Sequence, residues 1–320
     1  MYKDKELKVS IICVTYNHAK YIEQAINSFV NQKTSFKIKV YIHDDASTDG
    51  TDKIIMKYYN DYPEIIVPIL QKENQYSKGE SVLKNIFPLI DTEYVAFCEG
   101  DDYWVDENKL EKQIEFLEKN EDYSMSFHYT KVIYEDNATK ESLQPSMSWI
   151  KRHPKRNFSL LLNQNFIATS SVVYRWGLSG VNLNLMRYNL MPTDWFLHLF
   201  HAKMGKIKFI PDVMSVYRKH SGGVWYNAER NMDWVRKNWR KSLNFYECVD
   251  EVFKYKNEEK LSFYRTFEKY FQQNQEPSFF YDLLMPKLFS CICIGDLRKK
   301  FNGKYKAAKL IKEALQKPSI

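Results

Sequence analysis

The stretch Tyr94-Val95-Ala96-Phe97-Cys98-Glu99-Gly100-Asp101-Asp102-Tyr103-Trp104 decides how this chain folds. Tyr94 to Cys98 is an apolar run with the length of a fully buried strand, and it stops abruptly in three carboxylates around one glycine. Open α/β sheets bind ligands just beyond the carboxyl ends of their strands. Carboxylates set this close repel one another unless a cation compensates. Two or three hard oxygen ligands suit Mg²⁺ or Mn²⁺ bound through a substrate's phosphates. Taken alone, the stretch is also compatible with a solvated acidic turn, so its surroundings have to discriminate.

Upstream, three more strands precede it. Val9-Ser10-Ile11-Ile12-Cys13-Val14 is β-branched and ends in the polar turn Thr15-Tyr16-Asn17-His18, with Asn17 placed to cap the next helix. Ile22, Ala25, Ile26, Phe29 and Val30 then recur at helical spacing. Ile38, Val40 and Ile42 alternate with Lys37, Lys39 and Tyr41, and this second strand also ends in acids, Asp44-Asp45-Ala46-Ser47-Thr48-Asp49-Gly50. A helix over Thr51 to Asn60, a strand over Ile65 to Leu70 and a helix over Val82 to Ile90 complete the series. Strands and helices alternating through short links predict a parallel sheet with helices on both faces and right-handed crossovers. Asp45 and Asp101 then open onto the same rim.

Downstream, Leu110, Ile114 and Leu117 mark an amphipathic helix and Met125 to Tyr134 a strand. The polar segment Glu135 to Asn157, with Pro145 and Pro154, is expected to be a long loop. Phe166 to Tyr174 returns to strand character. Thr193-Asp194-Trp195 opens a helix through Lys203 that Gly205 can cap, and short strands follow over Ile207 to Ile210 and Val213 to Tyr217. Arg218-Lys219-His220-Ser221-Gly222-Gly223-Val224-Trp225 has the composition of a flexible, basic, aromatic loop. From Tyr226 apolar residues recur at helical spacing among many charges, broken by Pro277 and Pro286. Two domains are expected, a sheet domain over 1–225 and a basic helical region over 226–320.

Bulk composition narrows the class. At 320 residues, 44% hydrophobic and 27% charged, the chain has the makeup of a globular protein. Ten glycines argue against a Gly-rich phosphate loop as the main binding device. Five cysteines, odd in number and without a CxxC pair, suggest a reducing compartment. The charged start, Met1 to Lys8, lacks the apolar core of a signal peptide, and no apolar run approaches the roughly 18 residues of a membrane span. A cytoplasmic location is therefore expected.

Several features in this order resemble bacterial family 2 glycosyltransferases, inverting enzymes of the GT-A, or nucleotide-diphospho-sugar transferase, fold. The matching residues are Val9 through Asn17, His43 through Thr51, and Glu99-Gly100-Asp101-Asp102-Tyr103-Trp104 followed by Lys109-Leu110-Glu111-Lys112-Gln113. The resemblance covers about residues 7 to 225. It implies transfer of a sugar from a nucleotide-diphosphate donor, most simply a UDP-sugar, to a hydroxyl of a glycan or lipid-linked saccharide. The implied setting is surface-polysaccharide synthesis such as capsule.

Position by position, the resemblance places Thr15, Tyr16 and Asn17 in the nucleotide pocket and Asp45 on the uracil imide, although Asp44 or Asp45 can equally cap the next helix. Lys78, before Gly79, would reach the diphosphate or be an ordinary loop lysine. Glu99-Gly100-Asp101 stands where the family carries its Asp-x-Asp metal motif. Glu99 departs from that pattern, so its role is open between the donor ribose and a metal-bound water. Asp101 and Asp102 are the expected ligands of Mn²⁺ or Mg²⁺, joined by His220, with Arg218 adding positive charge near the phosphates. Asp194 matches the family's general base, favoured in its ionised form at a helix N-terminus. It can instead serve as an N-cap, with Trp195 either in the core or under the acceptor sugar. A loop histidine without a ligand is the alternative for His220.

Two other functions compete. A sugar nucleotidyltransferase would carry glycines in the first loop, which Thr15-Tyr16-Asn17-His18 lacks. A degenerate glycan-binding module would have lost the metal and base carboxylates, which are present. The Lys-rich tail after Leu297, preceded by apolar Leu283 to Ile294, fits either peripheral contact with an anionic membrane or a bundle or homodimer surface. No reader module points to nucleic acid.

Overall fold

A computed structural model describes residues 5–136, 139–177, 190–223, 226, 232–258, 261 and 265. The chain divides into two compact units, Met1–Tyr226 and Asn227–Ile320. In the first unit the strands are β1 (Leu7–Thr15), β2 (Lys37–Asp44), β3 (Ile66–Leu70), β4 (Tyr94–Phe97), β5 (Tyr103–Trp104), β6 (Tyr123–Tyr134), β7 (Ser142–Gln144), β8 (Val173–Arg175) and β9 (Lys206–Lys219). The helices are α1 (Ile22–Val30), α2 (Thr51–Asp61), α3 (Lys109–Lys119), α4 (Met147–Arg152), α5 (Phe158–Asn163) and α6 (Thr193–Met204).

The strands form one sheet in the order β3-β2-β1-β4-β8-β6-β9-β5, with β7 beside β6. β1 pairs in parallel with β2 and β4, and β2 with β3. β8 is antiparallel to both β4 and β6, while β6 and β9 are parallel. Two reversals restore the original direction, so β6 and β9 point the same way as β1, β2 and β4. The carboxyl ends of all five therefore face one rim, which is where a ligand site belongs in such a sheet.

The predicted order of the first half holds because β1, β2 and β4 bury their apolar residues in one core. Val9, Ile11 and Cys13 join Val40, Ile42, Tyr94 and Ala96 in one cluster. The apolar stripes of α1 and α3, from Ile22, Ile26 and Phe29 to Leu110, Ile114 and Leu117, cover it. Burial on this scale is the main stabilising term of the fold.

Four local expectations change. Val82 to Ile90 is two short 3₁₀ turns, Val82–Asn85 and Phe87–Leu89, because Pro88 lacks the N–H that a continuous helix would use. The segment Glu135 to Asn157 holds β7 and α4, and the Ser146 hydroxyl caps α4 by accepting the Trp149 N–H at 3.2 Å. Six residues are too few for a helical period to show in sequence. Over Phe166 to Tyr174 only Val173 and Tyr174 are strand, after a 3₁₀ turn at Thr169–Ser171. Finally, Ile207 to Lys219 is a single bulged strand that carries Arg218 and Lys219 inside the sheet rather than in a loop.

In the second unit, α7 (Met232–Phe253) is a long helix. The basic tail, expected to contact a membrane or a second copy, lies outside the described residues, as do Val224 and Trp225. Among the described residues, no helix is long and apolar enough to cross a membrane.

Candidate active site

The rim is built by backbone before any charged side chain is placed. Gly100 donates its N–H to the Val14 carbonyl at 3.0 Å, laying the acidic turn against the end of β1. A Cβ at position 100 would lie 2.6 Å from the Thr15 hydroxyl oxygen and 2.7 Å from its Cβ, so only glycine permits this approach. Asn17 adopts a left-handed φ of 54°, tolerable for asparagine. Its N–H reaches the Ser47 hydroxyl at 2.8 Å, and its side-chain carbonyl accepts the Thr48 N–H at 2.8 Å. The next two N–H groups go to Thr51 Oγ1 and Asp49 Oδ2, each at 2.9 Å. The turns after β1 and β2 are thus stapled together, and His18 is fixed in the staple.

His18, Asp101 and His220 meet at this rim. Asp101 Oδ2 lies 3.0 Å from His220 Nε2 and 3.7 Å from His18 Nε2, and the three ligand atoms all fall within 4.8 Å of one another. Burial alone would raise the Asp101 carboxyl. The hydrogen bond from His220 and the nearby His18 more than offset it, holding Asp101 below the ordinary carboxylate range. Burial in turn lowers His18, against the pull of Asp101. Arg218 anchors the arrangement: its guanidinium donates to the Asp101 carbonyl and to Gln24 Oε1, and sits 4.6 Å from the Tyr21 ring centroid.

Asp102 is outside this trio. Its buried carboxylate accepts the Arg218 N–H at 2.9 Å, tying the end of β9 to the acidic turn. Burial, then the charges of Asp101 and Glu99, push its carboxyl well up. A ligand role assigned to Asp102 from its place beside Asp101 therefore competes with this structural one.

Asp194 stands in the first turn of α6. Its Oδ2 accepts Asn165 Nδ2 at 3.2 Å and the Thr169 hydroxyl at 3.3 Å. Burial raises its carboxyl despite those donors and the Trp195 N–H. Glu99 links the two halves: burial, then the charges of Asp101 and of Asp194, push it up to about 8. Its proton is therefore held more tightly than an ordinary glutamate's, with both carboxylates opposing its charge.

The nucleotide side is less uniform. Tyr16 is 45% exposed, an open aromatic face at the rim. Asp45 is buried, and its two oxygens accept the Gln75 N–H at 2.7 Å and the Tyr76 N–H at 3.0 Å. In this state the carboxylate organises the loop after β3. Asp44 holds the Ser47 N–H at 3.0 Å and its hydroxyl, closing the turn before α2. Lys78 is on the exposed surface of the same loop, paired with Glu73.

Among the described residues, then, the structure gathers Thr15, Asn17, Glu99, Gly100, Asp101, Asp194, Arg218 and His220 about one rim. Lys78 is engaged elsewhere, and Asp45 is engaged by backbone. Sequence inspection missed His18, Asn165 and Thr169 as site residues. His18 alone left a signal, being the next residue of the polar turn that supplied Tyr16 and Asn17.

A mixed, mostly parallel sheet with carboxylates and histidines gathered at the rim of its strand ends has the architecture of the GT-A fold. The sequence model of Glycosyl transferase family 2 matches residues 10–179, and the chain belongs to that family. It is 38% identical over 257 residues to Rv1520 of Mycobacterium tuberculosis, covering 79% of this chain and 71% of that protein. It is 29% identical over 227 residues to the UDP-Glc:alpha-D-GlcNAc-diphosphoundecaprenol beta-1,3-glucosyltransferase WfaP of Escherichia coli, over 70% and 82% of the two chains. Among solved structures, the mannosyltransferase PcManGT from Pyrobaculum calidifontis, bound to GDP-Man and Mn²⁺, superposes with a TM-score of 0.56 at 16% identity. That superposition covers 98% of this chain and 81% of the other.

Proposed function

We propose that this glycosyltransferase moves a sugar from a UDP-linked donor to a hydroxyl of a glycan or lipid-linked saccharide, in one inverting displacement. Residues 1–225 are taken as the catalytic domain and 226–320 as an appended region, of which the described part holds α7. One observation carries the proposal: His18, Asp101 and His220 converge at the strand-end rim with their ligand atoms all within 4.8 Å of one another. A carboxylate flanked by two imidazoles is a set able to hold a divalent ion on a donor's diphosphate, and Asp194, in the first turn of α6, is the candidate base. The name of WfaP supports a UDP-sugar and a lipid-linked acceptor, and the contents of PcManGT support a divalent ion.

In the displacement, Asp194 takes the proton of the acceptor hydroxyl as that oxygen bonds to the anomeric carbon. The anomeric bond to the diphosphate oxygen breaks, and its electron pair leaves with the nucleoside diphosphate. Burial raises Asp194 above the ordinary aspartate range, which makes it the better base of the two aspartates. Asp101, His18 and His220 would hold a divalent ion. Two imidazoles beside a carboxylate make a softer set than Mg²⁺ prefers and favour Mn²⁺. Such an ion supplies Lewis-acid neutralisation of the charge left on the departing diphosphate. Tyr16 offers its face to the base, and Arg218 keeps Asp101 and His220 in place rather than reaching phosphate.

A panel of nucleotide sugars, assayed for hydrolysis with and without Mn²⁺, tests the proposal. UDP-sugar turnover that needs the ion and disappears in Asp101→Ala is expected. Failure to bind any nucleotide sugar would sink it.

A further inference from the structure

We propose that His198 is the positioning residue of Asp194, holding the carboxylate through its Nε2–H while Tyr174 fixes which ring nitrogen carries the proton; this rests on Asp194 being the base. His198 follows Asp194 by four residues on α6, so the two side chains share a helix face. Its Nε2 lies 3.8 Å from Asp194 Oδ2, and its Nδ1 lies 2.5 Å from the Tyr174 hydroxyl. The ring is fully buried, and Nε2 has no hydrogen-bond partner within bonding distance. A buried N–H with no acceptor within bonding distance is costly unless a gap closes, and Asp194 Oδ2 is one of the two acceptors near it. Hydrogen bonds of catalytic groups often tighten only when substrate is bound. The backbone carbonyl of Ile167 is the competing acceptor.

Electrostatics select the tautomer. Burial pushes His198 down to about 3, so the ring is neutral and carries one N–H. Burial pushes the Tyr174 phenol well up, so it keeps its proton, and in the proposed arrangement it donates that proton to Nδ1. The single ring proton is then on Nε2. The other tautomer would aim a lone pair at an ionised carboxylate. Asn165, Thr169 and His198 all address Oδ2, so the carboxylate is oriented from one side. The remaining titratable neighbours are Glu99, beyond the end of β4, and His201, one turn along α6, whose ring stacks 4.2 Å from that of Tyr174.

The test is nuclear magnetic resonance on the full chain. Ring ¹⁵N shifts report the His198 tautomer, and ¹³C carboxyl shifts follow the titration of Asp194 in wild type, His198→Phe, His198→Gln and Tyr174→Phe. The Nε2–H tautomer is expected in wild type. His198→Phe removes a donor to the ionised form, so the Asp194 midpoint moves to higher pH. Glutamine, with an amide N–H near the position of Nε2, returns it toward wild type. Turnover of UDP-glucose, or of whichever donor in the panel is hydrolysed, falls about tenfold to a hundredfold in His198→Phe, the size of one charged hydrogen bond, with donor KM little changed. Should His198→Phe unfold, Tyr174→Phe decides through the tautomer and the same midpoint. An Nδ1–H tautomer in wild type, or an Asp194 midpoint unmoved by His198→Phe, overturns the proposal. An inactive Asp194→Asn beside a fully active His198→Phe overturns it alone. A fully active Asp194→Asn overturns the base assignment beneath it as well.

Discussion

Asp101 and Asp194 are the same side chain facing the same partner type, and the protein drives them in opposite directions. Asp101 has two imidazoles at 3.0 and 3.7 Å and is held low, even though it is nearly buried. Asp194 has one imidazole at 3.8 Å, two neutral donors and a helix N-terminus, and still rises. The difference lies in the histidines. His220 makes a hydrogen bond to Asp101, whereas His198, with a fully buried ring driven to about 3, brings no charge to Asp194. Burial counts against the ion in both places. Only the Asp101 side supplies enough to offset it.

The strongest way to break the comparison is to neutralise each carboxylate in turn. Asp194→Asn and Asp101→Asn should each reduce sugar transfer by about 10²- to 10⁴-fold. They should separate by metal response: excess Mn²⁺ partly restores Asp101→Asn and leaves Asp194→Asn inactive. Equal rescue of both, followed by turnover against Mn²⁺ concentration, would show that the two halves do not have distinct roles.

Next come the histidines on the Asp101 side. His18→Gln and His220→Gln should each weaken Mn²⁺ binding by about tenfold to a hundredfold, measured by titration calorimetry or the paramagnetic effect on water relaxation. His198→Gln should leave that affinity unchanged. Loss of Mn²⁺ affinity in His220→Gln alone would remove His18 from the ligand set.

Gly100→Ala tests the turn that carries Asp101. Forcing a methyl group against the side chain of Thr15 should cost about 1–3 kcal/mol, seen as a lower melting temperature, with weaker Mn²⁺ binding. Thr15→Ala in the same chain opens space and should recover part of the loss. An unchanged melting temperature in the single variant would mean that the rim yields easily.

The smallest expected effect is on the pH profile. Asp194 acts as a base only when ionised, and burial has raised its folded value. The acid limb of kcat should therefore lie above the ordinary aspartate range, with activity lost as pH falls through it. The same shift means that ionised Asp194 works against stability at neutral pH, so protonating it on acidification gives some stability back. Asp101, held low, has the opposite sign. An acid limb at or below the ordinary aspartate value would contradict the raised carboxylate.

Legibility in the sequence followed the physics of each feature. The strands from Val9 to Cys98 could be read because β1 and β4 are nearly unbroken apolar runs buried on both faces and β2 alternates in the period of a strand. α6 could be read because a polar start and a glycine stop bracket it, while Asp194 was singled out within it by the family resemblance. α4 and the inner placement of Arg218 and Lys219 could not, since a six-residue helix has no period and a basic strand end looks like a loop. Asn165 and Thr169 were invisible because neither carries a pattern, and both act through positions set by the 3₁₀ turn before β8.

What the sequence by itself determined is the family, the strand-and-helix alternation and the acids at strand ends, because these rest on local patterning and spacing. What only the tertiary structure decided is which acid meets which partner. Asp101 and Asp102 are neighbours with the same side chain, yet one meets His18 and His220 and the other meets the Arg218 backbone. Charge state and partners are set by burial and by residues up to 119 positions away, and a linear pattern carries neither.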